Sequence, residues 1–101
     1  MFLVFFTRSG PQFDPSLPMQ EQSRWTDHAA FVDELVDTGF FIMGGPLSDE
    51  HRVAAVVDAD SEEQIRSTMA RDPWSGTHLE IALIEPWTIR FDGRAEAAQA
   101  E

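Results

Sequence analysis

The sequence predicts an α+β domain with the element order βαββαβ. Three observations carry this reading. Four short apolar runs are bounded by glycine, proline and polar turns, two helical stretches stand between the first and second and between the third and fourth of them, and 101 residues suffice for one core but not two.

Phe2 to Thr7 is an aromatic-rich apolar run with no helix cap before it, which reads as a strand, β1, buried on both faces. Arg8 to Pro18 carries Gly10, Pro11, Pro15 and Pro18 with Ser9 and Ser16 between them, and breakers at that density leave only a loop. From Met19 to Thr38 the residues Trp25, Ala29, Val32, Leu35 and Val36 recur at three and four, while Glu21, Arg24, Asp27, Asp33, Glu34 and Asp37 fall mostly elsewhere. That pattern is an amphipathic helix, α1, and Gly39 stands where a helix-ending residue of positive φ belongs. Phe40 to Met43 forms β2, ended by a Gly44, Gly45, Pro46 turn. A polar turn from Ser48 to Arg52 then leads to Val53 to Val57, β3. Ser61, Glu62, Glu63 and Gln64 match a capping box opening α2, which runs to about Arg71, where Asp72 and Pro73 stop it. Leu79 to Glu85 alternates and meets Pro86, giving β4, with Trp87 to Phe91 as an extension. The domain is expected over 1–91; the segment 92–101 lacks apolar periodicity and is expected to fray.

This order is that of ferredoxin-like domains, in which two helices cover one face of a four-stranded antiparallel sheet. In β1 one face carries Phe2, Val4 and Phe6 and the other Leu3 and Phe5; in β4 one carries Leu79, Ile81 and Leu83 and the other Ala82 and Ile84. Both faces are apolar, and the helices can bury only one. The other is expected to pack against a second copy, making a homodimer through the sheets, unless the tail or the loop after β1 covers it.

Composition narrows the chemistry. The basic residues number seven against eighteen acidic ones, a net charge of −11, and every basic residue is arginine. Lysine Schiff-base chemistry is excluded, and so acidic a surface repels phosphate backbones and anionic lipids, so neither nucleic acid nor membrane is an expected partner. No cysteine is present, which removes disulfides, thiolate metal sites and cysteine nucleophiles. No apolar run approaches the roughly 20 residues of a membrane span, and the start MFLVFFTRSG has no basic leader, so the expected compartment is the cytoplasm. His28, His51 and His78 lack metal-ligand spacing, no serine sits in a G-x-S-x-G elbow and G-x-G-x-x-G is absent, so neither a metal nor a cofactor is expected.

Right-handed crossovers bring Arg8 and Ser9 after β1, Arg24 and His28 on α1, Gly44, Gly45 and Pro46 after β2, Arg71 and Asp72 after α2, and His78 before β4 to one end of the domain. His28 lies on the stripe of α1 that faces the sheet. It is either a core histidine with both nitrogens satisfied or a general base oriented by a carboxylate, for which Asp72 is the best placed. His51 in a hairpin turn and His78 in a loop read as solvated surface residues.

These residues resemble the YCII-related domains of the dimeric α+β barrel group over about residues 2–91. The resemblance rests on His28 followed by Phe31, Leu35 and Gly39, on Gly45-Pro46-Leu47, on Asp72-Pro73-Trp74, and on Pro86-Trp87. It implies a ferredoxin-like fold, a dimer formed through the sheets and an active site built on a histidine and aspartate pair at His28 and Asp72. One relative is a dehydrochlorinase of a chlorinated hydroxyquinol, and muconolactone isomerases are more distant structural cousins. Many members carry an arginine three residues before the histidine. Here that position is Trp25, and Arg24 lies one residue earlier, about 100° round the helix.

The resulting expectation is a small cofactor-free lyase or isomerase acting on a compact aromatic or enolisable molecule. His28 would move a proton, Asp72 would hold its tautomer, and Arg8 or Arg71 would stabilise an oxyanion. Ser9, Gly45 and Pro46 would contact the ligand, with apolar walls from Phe6, Trp25, Met43 and Trp74. The alternative is a non-catalytic dimeric module that binds a small ligand or a protein through the same cleft.

Overall fold

A computed structural model describes residues 1–94. Its elements are β1 (Phe2–Thr7), a single 3₁₀ turn (Met19–Glu21), α1 (Trp25–Asp37), β2 (Phe41–Pro46), β3 (Arg52–Val57), α2 (Glu62–Met69) and β4 (Glu80–Pro86). The strands form one open sheet in the order β2-β3-β1-β4, with every neighbouring pair antiparallel. This is the α+β, ferredoxin-like arrangement that the element order predicts. Among the described residues no helix is long and apolar enough to cross a membrane. Most of the segment expected to fray, 92–101, lies outside the described residues; within them Arg94 donates to Asp92.

Strand register sorts the apolar side chains between the two faces. Val4 stands opposite Ala55 and Ile84, and Phe2 opposite Val57; Val4, Ala55, Val57 and Ile84 are all buried. With Phe6 they form the inner face, covered by Leu35 from α1 and Ile65 and Met69 from α2. Leu3 pairs with Val56 and Glu85, and Phe5 with Ala54 and Leu83, so these residues form the outer face. A register shift beside Phe5 and Phe6 leaves Ala82 without a partner on β1 and corrects the expected faces of β4: Leu83 turns outward, away from Ile81, and Ile81 joins Ile84 on the inner face.

The helix ends follow local chemistry. At the end of α1, Gly39 has φ +85°, Gly39 N–H bonds Val36 O at 3.1 Å and Phe40 N–H bonds Leu35 O at 3.0 Å, a Schellman closure that turns the chain into β2. At α2 the Ser61 hydroxyl accepts from Gln64 N–H at 3.0 Å, as the capping box predicts. The Gln64 side chain reaches back to Asp60 N–H at 2.6 Å, one residue before its expected target.

Three element boundaries differ from expectation. α1 begins at Trp25, not Met19, because Gln22 is buried and its amide folds the preceding loop around itself: Nε2 donates to Asp14 O at 2.6 Å and Leu17 O at 3.0 Å, and Oε1 accepts from Asp14 N–H at 3.0 Å. β2 runs on through Gly44, Gly45 and Pro46, which pair with Ala55, Ala54 and Val53. The glycines are strand residues here, and proline is tolerated at the strand's end. β4 stops at Pro86; Trp87 adds one bond, its N–H to Met1 O at 2.9 Å, and Trp87, Ile89 and Phe91 are exposed.

The loop between β1 and α1 is fastened to the turn before β4. Ser9 N–H bonds His78 O at 3.1 Å and Gln12 N–H bonds Thr77 O at 3.0 Å. Between them Gly10, at φ +127°, lies so close that a Cβ there would stand 2.6 Å from Thr77 O. Only glycine fits.

Candidate functional site

A cleft of about 450 Å³ opens between α1 and the inner face of the sheet, within the ~300–1,000 Å³ range of small-molecule sites. It exists because small residues meet there. Gly44 faces Ala55 across β2 and β3, and Ala29 is the α1 residue beside His28 that lines it. Phe6, Trp25, Val53 and Trp74 give it apolar walls, and Arg8 and His28 are its basic members.

His28 reaches the cleft with one nitrogen committed. Its Nδ1 lies 2.9 Å from each oxygen of Asp72, whose side chain is 1% exposed against 12% for His28. An ionised carboxylate can only accept, so Nδ1 carries the hydrogen and the lone pair of the neutral ring falls on Nε2. Among the described residues Nε2 has no protein partner, and it is not among the sealed polar atoms. Asp72 is itself held in place: Oδ1 accepts from Trp74 N–H at 2.8 Å, and its own N–H bonds Met69 O at 3.0 Å. This is how the chain stop after α2 becomes a fixed carboxylate.

Trp74 organises the rest. It is 2% exposed. The His28 ring stacks on one face with centroids 3.9 Å apart and planes 5° from parallel, the His78 ring stacks at 5.0 Å and 18°, and Trp25 leans in at 5.8 Å. The indole Nε1–H donates to Ser23 O at 2.9 Å, tying the ring to the residue before Arg24.

His78 corrects the expectation of a solvated loop residue: it is fully buried. Its Nδ1 lies 2.8 Å from Thr77 Oγ1, which donates to Pro73 O at 3.2 Å, so His78 supplies the hydrogen at Nδ1. Nε2 then accepts from Ser23 Oγ–H at 2.8 Å. Burial first, then the nearby charges of His28 and Arg24, hold its pKa below the ordinary imidazole value, against a smaller opposing pull from Asp72. His51 is exposed in the β2–β3 hairpin, as expected.

The structure gathers Arg8, Trp25, His28, Gly45, Pro46 and Trp74 around the cleft, with Asp72 behind His28. It does not bring Ser9 or Arg71 there. Ser9 is spent on the backbone bond to His78. Arg71 lines a separate polar groove between α1 and α2 and lies 5.7 Å from the centre of the Phe31 ring. Of the two candidate arginines, Arg8 alone is in the cleft wall. Arg24, the displaced arginine of α1, adopts φ +60° at the helix start and pairs with Asp27 at 3.5 Å on the surface. Among the described residues no three His, Asp or Glu side chains converge as a metal site would require.

Sequence reasoning missed the cleft contact of Met19, the buried Gln22 and the His78 lock. The Ser23–His78 bond joins residues 55 positions apart, and no local pattern announces such a contact. No protein-family model matches the chain, and no curated protein matches it as a relative.

Proposed function

We propose that this protein is a small lyase or isomerase that moves a proton on a compact aromatic or enolisable molecule without a cofactor, with His28 as the base. The observation that supports it best is the division of labour on one imidazole that lines an apolar cleft: Nδ1 is held by a buried carboxylate, and Nε2 has no protein partner among the described residues. Asp72 fixes the tautomer and stabilises the imidazolium that forms when Nε2 takes a proton, and the Trp74 face adds a cation–π contribution to the same charge. The same ring then returns the proton, to the original carbon in a futile cycle, to another atom in an isomerisation, or to a leaving group in an elimination. The resemblance to YCII-related domains points the same way.

The test is hydrogen–deuterium exchange at carbon. Small enolisable ketones and lactones incubated in D₂O should exchange faster with the protein than with His28→Gln, by about 10²–10⁴-fold for a productive substrate. Compounds that bind the cleft with no exchange above the variant would favour the non-catalytic binding module.

The assembly we propose is a homodimer through the outer sheet face. Leu3, Phe5, Val56 and Leu83 lie on it, Leu83 is 45% exposed, and Phe91 beyond β4 is 82% exposed. Apolar area of this kind is what a partner surface covers. Register identifies Phe5 as the outward ring of the Phe5–Phe6 pair, so Phe5→Glu should halve the sedimenting mass while Phe6→Glu unfolds the chain. A wild-type monomer at micromolar concentration would remove the dimer.

A further inference from the structure

Proton transfer by His28 leaves the one arginine of the cleft lining unused. Arg8 follows β1 directly and lines the same cleft as His28. Of the seven arginines, all among the described residues, Arg24, Arg52, Arg66 and Arg94 each have a carboxylate from their own segment, namely Asp27, Asp49, Glu62 and Asp92, and Arg71 and Arg90 lie outside the cleft lining. Among the described residues Arg8 has none within ion-pair distance. Its Nη2 meets Met19 Sδ at 3.5 Å, and its Nε is buried with no hydrogen-bond partner, the one such side-chain atom among the described residues. Burial pulls its pKa below the ordinary value, and the more distant Glu50 offsets this in part.

A guanidinium taken partly out of water and left unpaired is costly. This chain has eighteen Asp and Glu side chains to seven arginines, yet none of the described ones stands within ion-pair distance of Arg8. Nε and Nη2 form the edge with which arginine grips a carboxylate side-on through two parallel bonds. Here that edge has a thioether on one nitrogen and nothing on the other. A thioether is a weak acceptor on a flexible stem, easily displaced by a stronger one.

We propose that Arg8 anchors a ligand carboxylate, so that the cleft takes a small aromatic or enolisable monoacid with its carboxylate on the Nε–Nη2 edge of Arg8, in place of the Met19 sulfur. This deepens the reading of the cleft as the His28 site by naming the substrate class. The ligand's apolar body lies between α1 and the sheet, where Phe6, Val53 and Trp25 line the cleft. One negative charge is the limit, because Asp33 also lines the cleft and the chain carries −11 overall, so a second ligand charge would be repelled without a second cation to meet it.

Benzoate and benzamide share a shape and differ in charge, which makes them the probes. Amide and Arg side-chain NMR titrations of the full chain should show benzoate binding about tenfold or more tighter than benzamide, the increment expected of a charged hydrogen-bonded pair. The Arg8 Nε–H resonance should move only with benzoate. Arg8→Gln should abolish the preference and Arg8→Lys should keep part of it. Equal binding of the two probes by the wild-type protein, no binding of either, or a preference that survives Arg8→Gln would overturn the assignment. The wild-type comparison decides even if Arg8→Gln fails to fold. The two readings fail separately: a benzoate preference with no carbon exchange removes the base and keeps the anchor, and the reverse removes the anchor and keeps the base.

Discussion

Trp74 has a histidine against each face, and the two differ in what their nitrogens touch. His28 has Nδ1 on the Asp72 carboxylate and lines the cleft with Nε2 lacking a protein partner among the described residues. His78 has Nδ1 on the Thr77 hydroxyl and Nε2 on the Ser23 hydroxyl, with no exposed surface. Both rings carry hydrogen at Nδ1, yet the lone pair that Ser23 occupies at His78 is left for a ligand at His28. The partner of Nδ1 matters as well. Two hydroxyls bring no charge to His78, and burial disfavours its protonated ring more than the pull of Asp72 favours it. The same residue type on the same indole therefore keeps an unpartnered nitrogen on one side and holds two loops together on the other.

The largest effect is expected from removing what the two sides share. Trp74→Ala deletes a buried indole that contacts both rings and bonds Ser23 O, and urea denaturation should show a loss of about 3–5 kcal/mol. A loss within about 0.5 kcal/mol, the range of surface substitutions, would mean that the two sides stand independently. Trp74→Phe keeps an aromatic face but drops the Nε1–H bond, worth about 0.5–1.5 kcal/mol, and should fall between.

Next comes Asp72→Asn, which acts on one side only. Trp74 N–H still needs an acceptor, so the Asn oxygen stays there and its NH₂ turns to His28 Nδ1. The NH₂ then competes with the shared oxygen for Nδ1, and a neutral ring that accepts from it carries its hydrogen on Nε2, turning the open nitrogen into a donor. Imidazole ¹⁵N shifts above the ordinary titration range, near pH 8.5, read this without a substrate: about pH 6.5 is the usual midpoint. The pyridine-like signal should move from Nε2 to Nδ1 at His28 and stay on Nε2 at His78. Carbon exchange should fall nearly as far as in His28→Gln, with the double variant little worse. An unmoved tautomer, or additive losses, would break the pairing.

Much of this side was legible in the sequence because it is written locally. The three- and four-residue spacing of α1 put His28 on its sheet-facing stripe, and the Asp72-Pro73 stop placed a carboxylate at the end of α2. With right-handed crossovers the two meet, and they do, at 2.9 Å. The His78 side was not legible. Its burial depends on Gly10 admitting the loop close to Thr77, on Gln22 folding that loop, and on Ser23 reaching across the domain, none of which has a periodic signature. The same loop stopped α1 short of Met19 and placed that residue beside Arg8, so the boundary error and the unread thioether have one cause. Gly44 and Gly45 misled in another way. Glycine pairs usually end strands, but here their lack of side chains lets β2 continue along small residues of β3 and leaves the volume of the cleft.

The smallest effect, and the sharpest for the His78 side, is a slope with pH. His78 is held below the ordinary imidazole pKa in the folded chain, chiefly by burial, while in the unfolded chain it titrates near the usual value of about 6.5. Between those two values the unfolded state binds a proton that the folded state refuses, so stability must fall as pH drops below about 6.5 and level off once the folded pKa is passed. An opposing trend runs through the same window, since the net charge of −11 shrinks in magnitude as histidines protonate and self-repulsion eases. A variant isolates the His78 part. His78→Asn keeps a hydrogen-bond donor toward Thr77 but has no proton to gain, so it should be less stable than wild type at pH 7.5 and lose less on going to pH 5.5. Urea midpoints at both pH values, wild type against variant, give the difference directly. Asp14 and Asp49 do not confuse the comparison, because their hydrogen bonds with Ser16 and Arg52 hold them below the usual carboxylate range and they stay ionised across it. Parallel losses in the two proteins would mean that His78 already accepts a proton in the folded state, and the contrast between the two faces of Trp74 would then rest on Asp72 alone.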